Sequence, residues 1–107
     1  MNPEQIETVV RGIMYNFPEA SISMGCVGWN YDSLEFSFLD AGRRIEVTKD
    51  QLLAAFPLIR SEKWPKGCTQ APALDTPEAW DEWLCNSDAT DYDAFLQLAI
   101  FKEVIYG

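Results

Sequence analysis

The chain has 107 residues, 48% of them apolar, and sets 17 acidic side chains against 8 basic ones for a formal charge of −9 at pH 7. That length holds one hydrophobic core, and the charge opposes attraction to nucleic-acid phosphates or anionic lipid. Histidine is absent, which removes the usual general base near neutral pH, the partner of Ser and Cys nucleophiles, and the commonest zinc ligand.

The opening Met1-Asn2-Pro3-Glu4-Gln5 has no basic segment leading into an apolar one, and no later stretch approaches roughly 18 uninterrupted apolar residues. A cytoplasmic location is expected. Cys26, Cys68 and Cys85 are widely spaced and form no Cys-x-x-Cys pair, the pattern of free thiols in a reducing compartment.

Asn2-Pro3-Glu4 combines a capping side chain, a first-turn proline and an acid, and predicts a helix running to about Asn16. Ile6, Val9, Val10, Ile13 and Met14 recur at three- and four-residue steps and form its buried face. Phe17-Pro18 closes the segment, because the residue before proline avoids helical geometry.

Two-residue alternation follows. Ser21 to Val27 predicts a short strand in which Gly25 and Gly28 suggest a bulge, and residues 28–33 read as a loop or hairpin turn. Leu34, Phe36 and Phe38 alternate with Glu35 and Ser37, and Arg43 to Val47 alternate again after Asp40-Ala41-Gly42, so residues 34–39 and 43–48 predict a hairpin.

Thr48-Lys49-Asp50-Gln51 matches a capping box and starts a second helix, which Pro57 ends or kinks. Residues 61–77 hold four prolines or glycines and read as an ordered surface loop anchored by Trp64 and Leu74. Thr76-Pro77-Glu78 starts a third helix whose core face is Ala79, Trp80, Trp83 and Leu84. A fourth begins near Thr90 or Asp91 and runs to Ile105, apolar almost all round, as a central buried helix or in part an oligomer interface. The expected fold is one α+β domain over residues 1–107, a small antiparallel sheet of about three strands packed against about four helices.

Between Lys66 and Lys102 the acids Asp75, Glu78, Asp81, Glu82, Asp88, Asp91 and Asp93 occur with no base among them. Acids one helical turn apart lie about 5–6 Å from each other, a spacing comparable with that of phosphates along a nucleic-acid strand. Asp75, Glu78, Asp81, Glu82, Asp88 and Asp91 are therefore candidate contacts to a partner with a basic surface, and Trp29 and Tyr31, in the predicted loop, are candidate aromatic anchors. No catalytic, cofactor or metal site is expected. Nothing in the spacing of the acids sets two of them across a cleft as glycosidase chemistry demands, residues 88–93 lack the glycine-turned calcium loop, and no glycine-rich phosphate loop occurs.

The closing run Asp93-Ala94-Phe95-Leu96-Gln97-Leu98-Ala99-Ile100-Phe101-Lys102-Glu103-Val104-Ile105-Tyr106-Gly107 resembles the C-terminal ends of small proteins encoded by bacteriophages and other bacterial mobile elements. Lys102 departs from the smaller residue of that pattern. The resemblance implies a context in which small acidic proteins antagonise host machinery, anti-CRISPR proteins and DNA mimics among them. The expectation that joins charge and resemblance is a non-enzymatic inhibitor that occupies a basic nucleic-acid-binding surface of a host protein. The alternative is an oligomeric structural or accessory protein that self-associates through its C-terminal helix.

Overall fold

A computed structural model describes residues 1–15 and 25–106. Helix α1 spans Pro3–Tyr15. Its start is a reciprocal box: the Asn2 side-chain oxygen accepts the Gln5 N–H at 2.9 Å, and Gln5 Oε1 accepts the Asn2 N–H at 2.9 Å. Val9, Val10, Ile13 and Met14 form the buried stripe, while Asn16 and the closing Phe17-Pro18 lie outside the described residues.

Three strands, β1 (Gly25–Asn30), β2 (Glu35–Asp40) and β3 (Arg43–Val47), pair antiparallel in chain order. The predicted first strand ends too soon: its part before Gly25 lies outside the described residues, and pairing continues past Val27 through Trp29↔Phe36 and Asn30↔Glu35. The register shifts between Cys26 and Gly28, where glycine lets one extra residue be accommodated. Phe36 and Phe38 face the core with their rings stacked at 6.4 Å. Leu34 belongs to the turn rather than to β2: it has a left-handed backbone (φ 53) yet is wholly buried.

Helix α2 (Lys49–Ala55) opens on the predicted capping box of Thr48 and Gln51. Pro57 has no N–H to continue the helical ladder, so the chain tightens into a 3₁₀ turn over Phe56–Arg60. Helix α3 (Pro77–Asn86) starts with Thr76 Oγ1 accepting the Ala79 N–H at 3.2 Å. Helix α4 (Ala89–Phe101) stops earlier than predicted, because Lys102 turns left-handed (φ 63) and returns its N–H to the Leu98 carbonyl at 3.0 Å.

One contiguous core joins every element. It includes Ile13 from α1, Phe36 and Phe38 from β2, Leu52 from α2, Trp80 from α3, and Phe95 and Leu96 from α4. Asp91 through Ala99 are all buried within the single chain. The expectation that α4 doubles as a self-association surface meets a physical obstacle there, since burial on every side leaves only its two ends, Ala89 and Thr90 at the start and Ile100 and Phe101 at the finish, with any exposure. The architecture is α+β, as predicted. Among the described residues no helix is long and apolar enough to cross a membrane.

Candidate functional site

Helix α3 positions the outward acids by simple phase. Trp80 and Trp83 turn inward, their rings edge to face at 5.2 Å, and that rotation forces Glu78, Asp81 and Glu82 into solvent on the opposite side. Cys85 lies one turn on from Asp81 in the same stripe and is exposed. Among the described residues none of the three carboxylates forms an ion pair. Five of the eight bases are engaged elsewhere: Arg11 and Lys49 with Glu7, Arg44 with Glu46, Arg60 with Asp75, and Lys63 with the Lys102 carbonyl.

The remaining predicted acids separate from this stripe. Asp75 is a structural node whose carboxylate accepts the Trp80 indole N–H at 2.7 Å and lies 3.8 Å from the N-terminal ammonium and 3.6 Å from Arg60. The Trp80 hydrogen bond first, then the charges of the N-terminus and Arg60, hold its carboxyl below the usual range. Asp88 is exposed but caps α4, accepting the N–H groups of Thr90 and Asp91 at 3.0 and 3.2 Å.

Asp91 does not belong on the outward face at all. It is 1% exposed and accepts three hydrogen bonds, from the Thr69 N–H and hydroxyl, both at 2.7 Å, and from the Asp88 N–H at 3.0 Å. Asp93, from the same acidic run, is also buried. Both sit in an apolar helix surrounded by other elements, where a carboxylate survives only with donors built around it.

The two aromatic candidates lie together, away from α3. Trp29, on β1, is 60% exposed and shares a pocket of about 220 Å³ with Met14, Tyr15, Tyr31 and Phe36; no α3 side chain lines it. Tyr31 is half-buried and tethers the sheet to α1: its hydroxyl donates to the Arg11 carbonyl at 3.0 Å, and Arg11 donates back to the Tyr31 carbonyl at 2.8 Å.

What borders the acidic stripe instead is a groove of about 380 Å³ between α3 and the preceding loop, lined by Thr69, Pro72, Leu74, Ala79, Glu82 and Trp83 among others. Leu74, expected to anchor the loop, is 69% exposed at this groove. The loop is held by tryptophans: the indole N–H groups of Trp64 and Trp83 both donate to the Thr69 carbonyl, at 3.0 and 3.1 Å. The groove had no signature in the sequence beyond the unexplained apolar residues Ala71 to Leu74. Among the described residues no three His, Cys, Asp or Glu side chains converge where a metal ion could sit. Comparison with protein-family models, with curated proteins and with solved structures finds no match.

Proposed function

We propose that this chain is a non-enzymatic interaction protein whose α3 stripe, Glu78, Asp81 and Glu82, docks against a basic nucleic-acid-binding surface of another protein. The observation that carries the reading is the unpaired state of these three carboxylates on a face that costs stability to keep. Like charges three and four residues apart on a helix repel by a few tenths of a kcal/mol per pair, about 0.2–0.5, and only Glu78, in the first turn, gains from the helix dipole. The neighbouring groove with Leu74 at its rim supplies an apolar contact beside the charges, so that electrostatics speeds encounter and burial adds affinity. On this reading the target is a host protein of the phage or mobile element that residues 93–107 resemble.

The test is affinity capture from nuclease-treated bacterial lysate, followed by mass spectrometry, with wild type and the E78K/D81K/E82K variant compared at low and high salt. The expected result is a nucleic-acid-binding protein captured by wild type, lost in the variant, released by salt and displaced by the polyanion heparin. A modifying group placed on Cys85, at the end of the stripe, should block the same capture. An identical set of captured proteins with both chains, insensitive to salt, overturns the assignment. Recovery only of further copies of this chain favours the accessory-protein reading.

A further inference from the structure

A second feature, independent of the α3 stripe, is a cavity of about 560 Å³ between α4, the segment after the 3₁₀ turn and the C-terminal tail. This volume falls within the roughly 300–1,000 Å³ typical of small-molecule sites. Asp93, Ala94 and Gln97 share the α4 face that forms one wall, Gly67 and Cys68 belong to the second, and Val104 and Tyr106 to the third.

The tail wall is fastened rather than draped. Gln97 Oε1 accepts the N–H groups of Ile105 and Tyr106 at 2.9 and 2.8 Å, its Nε2 donates to Asp93 Oδ2 at 2.9 Å and to the Tyr106 carbonyl at 3.1 Å, and the Tyr106 hydroxyl donates to Asp40 at 2.6 Å. With two bonds accepted and two donated, the Gln97 amide is fully used in holding the wall. Lys63 also borders the cavity, with its ammonium on the Lys102 carbonyl at 3.0 Å. The charged group set in the α4 wall is Asp93, 6% exposed.

The surroundings favour a positive charge here. Burial first, and then the carboxylates of Asp91, Asp88 and Asp93, push the Cys68 thiol up to about 11. Burial opposes charge of either sign, whereas the carboxylate share of that shift, which disfavours a thiolate, favours a cation. Ala94, Val104 and Tyr106 line the same cavity as the carboxylate, the combination of apolar surface and negative charge that suits an ammonium carried on an apolar body.

We propose that this cavity binds a small organic ammonium ion, its charge directed at Asp93 and its apolar body lying against Ala94, Val104 and Tyr106. The probe is benzylammonium, with benzyl alcohol as its neutral counterpart, titrated into the full chain and followed by amide chemical shifts. Expected are saturable shifts at Asp93, Ala94 and Gln97, an affinity at least about tenfold weaker for the alcohol and for D93N, and slower maleimide alkylation of Cys68 in a C26S/C85S background. A Cβ at Gly67 meets no atom within 4 Å, so Gly67→Leu has room for its first carbon on this wall; it should abolish binding, with the melting temperature measured alongside to separate blockage from a folding defect. Absence of saturable shifts at millimolar probe, equal affinity for ammonium and alcohol, undiminished binding in the Gly67 variant, or shifts confined to Glu78–Glu82 would each overturn the proposal. The last of these outcomes is nonspecific ion pairing on the α3 stripe and leaves the docking proposal standing, so the two readings fail separately.

Discussion

Replacing Asp91 by Ala removes the acceptor for two backbone N–H groups and one hydroxyl at a position that is 1% exposed. Hydrogen bonds to a charged acceptor are each worth about 1.5–3 kcal/mol. Deleting the carboxylate also relieves its own desolvation, so the sum is an upper bound and a net loss of about 3–4 kcal/mol is expected. At about 4 °C per kcal/mol for a domain near this size, the melting temperature should fall by about 12–16 °C. Asp91→Asn keeps one acceptor oxygen and should lose about half as much. Thermal and urea unfolding followed by circular dichroism measure both, and the double-mutant cycle of Asp91→Asn with Thr69→Val should show a coupling of about 1–2 kcal/mol. A loss below about 1 kcal/mol for D91A, or strict additivity in the cycle, would refute the argument that this carboxylate staples the 61–76 loop to α4.

The β2–β3 turn places Ala41 at φ 50 and Gly42 at φ 82, the two left-handed residues of a type I′ hairpin, so A41N should stabilise by about 0.5–1 kcal/mol and G42A should destabilise by about 1 kcal/mol, read from urea midpoints. A Cβ on Gly12 would come within 2.8 Å of Leu84 Cδ1; because that atom ends a flexible side chain and Ala favours helix, G12A should change stability by less than about 1 kcal/mol, while G12V should destabilise and recover when combined with L84A. At pH 8 a disulfide reagent should modify exposed Cys85 at once and the buried Cys68 far more slowly. Since the Cys68 thiol is pushed up to about 11 when folded, stability from keeping it neutral is full below the unfolded thiol value and is lost as pH rises toward 11; a C68A chain should show a flatter decline in alkaline melts.

Local chemistry made the helix starts legible. Asn2, Thr48 and Thr76 each cap the helix predicted from them, because a cap depends on residues only three apart. Period also sufficed for Trp80 and Trp83, which took the core face and thereby sent Glu78, Asp81 and Glu82 outward. Long-range contacts were not legible in this way. Thr69 and Asp91 are 22 residues apart, and nothing in either local pattern says that one will bury the other. The early end of α4 was similarly hidden, for Gln97 captures the amides of Ile105 and Tyr106 only once the tail has folded back. A signal was nevertheless present: acids and an amide in a helix apolar nearly all round must find partners if the helix is buried, so Asp91, Asp93 and Gln97 marked polar contacts to come rather than a solvated face.

The acidic run thus divides by what each carboxylate would lose on neutralisation. Asp91 would release a loop, Asp88 would uncap a helix, and Asp75 would leave the Trp80 indole without its acceptor. For Glu78, Asp81 and Glu82 no comparable structural loss follows, and Glu82→Lys sets an ammonium one helical turn after Glu78, turning a repulsive pair into an attractive one. This substitution should therefore raise stability slightly while weakening partner capture. A structural stripe would show the two effects moving together, whereas opposite signs are what a face held for recognition requires.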